Sequence, residues 1–249
     1  MQYKGNHYKV ICVLPAYNAE KTLENTIEDI DREWVDEIIL VDDCSRDNTA
    51  DLAEKLGIDQ IIEHTKNLGY GGNQKTCYQK ALDQEADIVV MVHPDHQYNP
   101  KLIPQMVKPL MENQCDAVFG SRMLGGEFFE GGMPRWKFYA NIMLTAFANM
   151  MLGIYLTEFH TGFRAYSRHY LESINFKVNS NNFVFDTEII IQGIQKQMKF
   201  HEIPIDTRYF EEASQINLSD SIRYGLGILK RLLIYKLFRA GIIKHRLFQ

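Results

Sequence analysis

The chain predicts an α/β layer fold: a mostly parallel central sheet flanked by helices, with an amphipathic helix at the C-terminal end. Three observations predict it. Short Val- and Ile-rich runs alternate with longer helix-like segments across short connectors. Those runs are apolar throughout rather than every second residue, as in strands covered on both faces. Polar clusters follow several of them, at the strand ends where parallel sheets bind ligands.

Lys9–Leu14 reads as the first strand, followed by a helix over Ala19–Asp31 with Asn18 at its entry. Glu37–Val41 is the second strand and Thr49–Leu56 the second helix, with Asp47 or Asn48 as its cap. Gln60–Glu63 is a short strand, and Gly71–Gln84 a helix entered through glycines. Asp87–Val92 is the next strand, Pro100–Glu112 a helix with proline in its first turn, and Ala117–Phe119 another strand. Right-handed crossovers wind such a series into a doubly wound sheet.

The second half is less regular. Gly125-Gly126 and Gly131-Gly132 bracket a loop suited to act as a lid. Phe138–Thr157 carries no charge, yet Asn141, Thr145 and Asn149 recur four apart and form a polar stripe that lipid would tolerate poorly. The segment is expected to pack on the core or lie half-buried at a membrane surface rather than span one. Ser221–Leu247 spaces Leu226, Leu229, Leu233 and Leu237 along a helix with basic residues between them. The domain reading is therefore a catalytic domain over 1–220 and a basic helix over 221–249, addressing a membrane surface, another subunit, or the domain itself.

Charge supports that division. The 249 residues carry a net −5, but after Asp220 there are seven basic residues and no acidic one. An acidic body without a basic, aromatic-studded groove excludes a nucleic-acid partner. Cys12, Cys44, Cys77 and Cys115 show neither CxxC nor zinc spacing, and the N-terminus lacks the apolar core of a signal peptide. The expected location is cytoplasmic, in a reducing compartment.

Four clusters carry the chemistry. After the first strand, Pro15 and Tyr17 suit a rigid wall for a nucleobase, with Asn18 and Glu20 offering polar edges, or else the segment is ordinary helix entry. After the second, Asp42 and Asp43 suit ribose hydroxyls or a base imino group, or else simple turn chemistry. Gly69, Gly71 and Gly72, beside Asn67, let backbone approach a diphosphate, or make only a turn. After the fourth, His93-Pro94-Asp95-His96-Gln97 brings oxygen ligands for a divalent cation to the end of a buried strand.

In this order these segments resemble the family 2 glycosyltransferases of GT-A fold (nucleotide-diphospho-sugar transferases), and within them the dolichyl- and polyprenyl-phosphate sugar synthase branch. The resemblance covers about residues 8–215. It implies an inverting transferase using a UDP- or GDP-sugar with Mn²⁺ or Mg²⁺. Pro15, Ala16, Tyr17, Asn18, Glu20, Asp42, Asp43, Asn67, Gly71 and Pro94 would then face the nucleotide, and His93, Asp95 and Gln97 the metal. The branch has Asp where this chain has His93, which is either a ligand favouring Mn²⁺ or a residue behind the ligands. Asp95 would then be the metal-bound catalytic carboxylate.

Glu158-Phe159-His160-Thr161-Gly162-Phe163-Arg164 resembles the branch's acidic-x-x-Ser/Thr-Gly-Phe segment near the acceptor. Glu158 or His160 would be the base for a hydroxyl acceptor, whereas a phosphate acceptor needs none. Arg135, Arg164 and Arg208, with Ser214, are candidates to bind donor or acceptor phosphates. The branch's Lys after that serine reads Gln215 here. The expected acceptor is a polyprenyl phosphate, met peripherally on the cytoplasmic face of the membrane; a soluble or cell-envelope glycan is the alternative. A homo-oligomer is compatible with this sequence, as is an inactive nucleotide- or lipid-binding relative. A nucleotidyltransferase is disfavoured because no basic Gly-rich loop follows the first strand.

Overall fold

The computed structural model describes residues 1–125, 135–206 and 218–248. Except for Gly125, the lid expected within Gly125–Gly132 lies outside that set, as do the candidates Arg208 and Ser214.

A two-stranded hairpin, β1 (Gln2–Tyr3) and β2 (Asn6–His7), precedes the main sheet. The chain then runs β3 (Val10–Ala16), α1 (Leu23–Glu28), β4 (Glu37–Asp42), α2 (Thr49–Lys55), β5 (Gln60–Glu63), α3 (Tyr70–Asp83) and β6 (Ile88–Met91). A 3₁₀ turn, Pro100–Leu102, opens α4 (Ile103–Met111), and β7 (Ala117–Ser121) leads into α5 (Arg122–Gly125). After α6 (Arg135–Leu152) come β8 (Arg164–Ser167), α7 (Arg168–Ser173), α8 (Phe185–Gln195), β9 (Phe200–Pro204) and α9 (Leu218–Arg239).

The main sheet has the order β5-β4-β3-β6-β8-β7-β9. Every pairing is parallel except those of β8, which runs antiparallel to both β6 and β7. The expected mostly parallel sheet is the one formed, with one reversed strand. β3 is buried at every position, as a central strand covered on both faces must be. Its residues alternate between two cores. Ile11 and Val13 face α3, α8 and α9 through Tyr78, Phe185 and Ile228, while Cys12 and Leu14 face α1 and α4 through Leu23 and Met106.

The chain leaves β3 toward β4 on one side and returns to β6 on the other. That reversal of winding opens a crevice beyond the C-terminal ends of these strands. Asn73, buried near the start of α3, donates to the carbonyls of Ala16 at 3.1 Å and Val41 at 2.9 Å, tying the two strand ends beneath the crevice.

α6 keeps its polar stripe inward. Asn141 donates to Glu158 Oε1 at 2.8 Å, and Asn149 exchanges two hydrogen bonds with the Leu156 backbone. Among the described residues no helix is long and apolar enough to cross a membrane. α9 has two apolar faces. Ile228, Leu232 and Tyr235 are buried in the core, so the helix docks on the sheet domain. Leu226, Leu229 and Leu233, the stripe evident in the sequence, point outward and are 62%, 38% and 55% exposed.

Candidate functional site

A cavity of about 700 Å³ lies at this crevice, with one wall made by the β3, β4 and β6 ends and another by α6, α8 and α9. Pro15, Tyr17, Asn18, Asp43, Asn67 and Pro94, all expected to face a nucleotide, line it. His93, Asp95 and Gln97 line it as well, as does His160.

The sheet-edge wall is built by two interlocked loops. Asn18 adopts a left-handed φ of +52°, its amide donates to Ser45 Oγ at 2.8 Å, and its Oδ1 accepts from the Arg46 amide at 2.9 Å. Ala19 N donates to Thr49 Oγ1 at 2.8 Å, and Glu20 accepts from Asn48. These ties occupy residues 18–20, so α1 begins at Leu23 rather than at the expected Ala19, and Asn18 is a loop link rather than a helix cap. Tyr17, 46% exposed, stands over the opening.

The two aspartates after β4 divide their work. Asp42 turns to its own loop, accepting from the Ser45 amide at 2.9 Å and from the Ser45 hydroxyl. Asp43 lines the cavity and organises the next loop, accepting from the Leu68 amide at 2.7 Å, the Gly69 amide at 2.9 Å and His64 Nδ1 at 2.7 Å. Asn67 Nδ2 adds a bond to the Asp43 carbonyl. Ala16, Glu20, Asp42 and Gly71 do not line the cavity.

The glycine-rich helix entrance packs against a second loop. The Gly71 amide donates to the Asn181 carbonyl at 2.8 Å, and a Cβ on Gly71 would stand 2.4 Å from the Ser180 carbonyl oxygen. These glycines admit a neighbouring loop of the same chain, while Gly69, Tyr70 and Asn73 at the same helix start line the cavity.

His93 is clamped from two sides. Tyr70 stacks on its ring with centroids 5.4 Å apart and 16° between planes, and the Tyr70 hydroxyl lies 3.3 Å from Nε2. At the Cδ2–Nε2 edge, a Cβ on Gly162 would approach His93 Cδ2 to 2.5 Å, so a larger residue there would have to displace the ring. Burial lowers the His93 pKa and favours the neutral ring, with its lone pair. Asp95 Oδ1 accepts from the Gln97 amide at 3.1 Å, which shapes the loop as a short turn. Thr22 Oγ1 donates to the Pro94 carbonyl at 2.6 Å and fastens this loop to the first.

Among the described residues no three His, Cys, Asp or Glu side chains stand together to hold a metal. One carboxylate, one carboxamide and one neutral imidazole fit a cation that takes its remaining ligands from phosphate oxygens and water.

The acceptor-side candidates are placed differently from one another. Glu158 is fully buried and does not line the cavity. It accepts from the Arg122 amide at 2.8 Å, Arg122 Nε at 2.7 Å and Asn141. His160 Nδ1 meets the Tyr224 hydroxyl at 2.9 Å, and burial lowers the ring's pKa to about 4. Arg164 proves to be a core cation rather than a phosphate ligand. It is 0% exposed and bonds the carbonyls of Thr161, Phe159 and Asp186, and it pairs with the Asp186 carboxylate at 3.5 Å. Arg135 is exposed at the start of α6 and is not among the lining residues, although its neighbour Trp136 is.

Several lining residues escape sequence reasoning. Arg122 follows β7 directly and is the cation among the described lining residues. Trp136, Ala140, Leu144, Phe183 and Tyr224 make the far wall largely apolar. The uncharged run Phe138–Thr157 supplies Ala140 and Leu144 of that wall, and no sequence signal marks Trp136, Phe183 or Tyr224 as part of it.

Residues 11–174 match the family described as "Glycosyl transferase family 2". The chain is 30% identical over 233 residues to an uncharacterized protein of Methanocaldococcus jannaschii, covering 94% of each. It is 28% identical to the UDP-N-acetylglucosamine–dolichyl-phosphate N-acetylglucosaminyltransferase of Methanococcus voltae, over 92% of this chain and 96% of that one. Its fold is similar to glucosyl-3-phosphoglycerate synthase of Mycobacterium tuberculosis, solved with Mn²⁺, UDP and glucosyl-3-phosphoglycerate. That match has a TM-score of 0.68 at 21% identity, over 95% of this chain and 81% of that one.

Proposed function

The chain belongs to glycosyl transferase family 2 and has the GT-A fold, and from that premise we propose that it transfers a sugar from a UDP-sugar, with inversion, to a polyprenyl phosphate. The observation that carries the acceptor is the composition of the cavity. A polar wall at the sheet edge faces an apolar wall of Trp136, Ala140, Leu144 and Phe183, which suits a molecule with an anionic head and a hydrocarbon tail.

The base candidates support the same choice. Glu158 is engaged by Arg122, and His160, with its pKa lowered to about 4, is a weak base near neutral pH. Asp186 accepts from Tyr70 at 2.8 Å and pairs with Arg164. A hydroxyl acceptor would need one of them to remove a proton; a phosphate oxygen arrives already anionic. That oxygen attacks the anomeric carbon, the bond to the diphosphate breaks, and its electron pair leaves with the nucleoside diphosphate.

Tyr17 and Pro15 wall the nucleobase, and Asp43 holds the Asn67–Gly69 loop against the donor. His93, Asp95 and Gln97 would hold a divalent cation, which neutralises charge developing on the leaving diphosphate. Arg122 on the wall and Arg208, outside the described residues, are candidates for the acceptor phosphate. The relative acting on dolichyl phosphate supports this reading. So does the exposed apolar face of α9, with Arg223, Lys230 and Lys236 along the helix, which suits an anionic membrane surface.

The test is nucleoside diphosphate release from UDP- and GDP-sugars with Mn²⁺ or Mg²⁺, with and without a short polyprenyl phosphate. Release that requires the lipid phosphate and is lost in Asp95→Ala is expected. Release driven equally by a saccharide hydroxyl would overturn the acceptor assignment.

A further inference from the structure

The Tyr70 hydroxyl touches two partners, and only one of them can receive its single hydrogen. It donates to Asp186 Oδ2 at 2.8 Å, and Asp186 is held in place by Gln74 at 3.3 Å and by the buried Arg164 at 3.5 Å. The other contact, His93 Nε2 at 3.3 Å, therefore has to supply a hydrogen to the Tyr70 oxygen. A neutral imidazole with its hydrogen on Nε2 carries its lone pair on Nδ1. The Cδ2–Nε2 edge of the ring lies against Gly162, so Nδ1 is on the opposite side of the ring.

We propose that Tyr70 is a positioning residue that fixes the His93 tautomer through Asp186, so that His93 presents the Nδ1 lone pair as a ligand to a divalent cation of Mn²⁺ type. The inference rests on the donor-site reading above and deepens it. It gives a specific reason for an aromatic hydroxyl residue among the glycines at the start of α3. Neighbouring groups that fix which imidazole nitrogen binds a metal are a general requirement of histidine ligands. Here the orienting group is a phenol, itself oriented by a carboxylate and a buried guanidinium.

Two measurements on the whole protein test it. Long-range ¹H–¹⁵N spectra of histidine-labelled, metal-free protein report which nitrogen of His93 carries hydrogen. Nε2–H is expected in the wild type, and a tautomer mixture in Tyr70→Phe, which keeps the stacked ring. Mn²⁺ titration in the presence of UDP, followed by the electron paramagnetic resonance of the free ion, should then show about tenfold weaker binding for Tyr70→Phe. In a His93→Asp background, where no tautomer exists, Tyr70→Phe should change nothing. An Nδ1–H wild type, or Mn²⁺ binding that Tyr70→Phe leaves unaltered, overturns the role of Tyr70 alone. A wild type that binds UDP but no Mn²⁺ overturns the metal reading itself.

Discussion

Arg122 grips Glu158 with its backbone and its side chain together: the amide donates to Oε2 at 2.8 Å and Nε to Oε1 at 2.7 Å. The carboxylate is wholly buried and the arginine side chain is 11% exposed. Removing one partner of such a pair strands the other without a counter-charge, so Arg122→Ala should cost about 3–5 kcal/mol, read as a lower urea midpoint. The pair also sets an acid limit. Burial raises the Glu158 pKa, but the Arg122 charge and hydrogen bonds outweigh it, and the net shift is downward. A lowered carboxyl stabilises the fold above its unfolded value of about 4.3, and that stability is lost as pH falls through the folded value. Glu158→Gln should be less stable at neutral pH and lose less than the wild type on acidification.

His160 gives a second, separate pH window. Burial holds its pKa near 4, against about 6.5 in the unfolded chain. Between those values the unfolded state binds a proton that the folded state does not, so stability falls as pH drops from about 6.5 toward 4. The full difference amounts to at most about 3 kcal/mol, less because the ring lines an open cavity. Urea unfolding at pH 7.5 and pH 5 should show a larger loss for the wild type than for His160→Asn. Equal losses would mean that His160 is solvated as an ordinary surface histidine.

Two glycines distinguish damage to the site from damage to the fold. Gly162→Ala places a methyl 2.5 Å from His93 Cδ2, a side chain at the cavity wall. UDP binding with Mn²⁺, measured by calorimetry, should weaken about tenfold for a thermal stability loss of about 1–3 kcal/mol. Gly71→Ala meets the Ser180 backbone at 2.4 Å and Phe185 Cβ at 2.7 Å, where nothing can rotate aside. It should destabilise more than Gly162→Ala, and its nucleotide affinity per folded molecule should change less.

The contrast between these glycines shows what sequence can and cannot reveal. The strands β3, β4 and β6 were legible because burial on both faces leaves an apolar run that needs no partner to identify it. Tyr17, Asp43, His93, Asp95 and Gln97 were legible as a site because each follows such a run. β8 was not, since it reads Arg-Ala-Tyr-Ser, and its buried guanidinium is satisfied by the carbonyls of Phe159 and Thr161 and by Asp186, 22 residues on, which no apolar run announces. The close approach at Gly71 was equally hidden. Its partner lies about 110 residues away, and spacing within a motif carries no record of that neighbour.

The outward stripe of α9 supports the last prediction. Ile228 and Leu232 already cover the core, so Leu226 and Leu233, at 62% and 55% exposed, contribute nothing to the fold that a polar residue would remove. Leu226→Glu with Leu233→Glu should therefore change unfolding free energy by no more than about 0.5 kcal/mol at each site. If this face lies in an anionic membrane, each leucine contributes about 1 kcal/mol to the partition, and the added carboxylates repel the surface. Turnover of a long-chain polyprenyl phosphate in anionic vesicles should then fall at least about tenfold, while turnover of a short, soluble polyprenyl phosphate is retained. Equal loss on both acceptors would locate the damage in the cavity rather than at the surface. A shift from dimer to monomer in sedimentation, with vesicle turnover intact, would assign the stripe to a second copy of the chain.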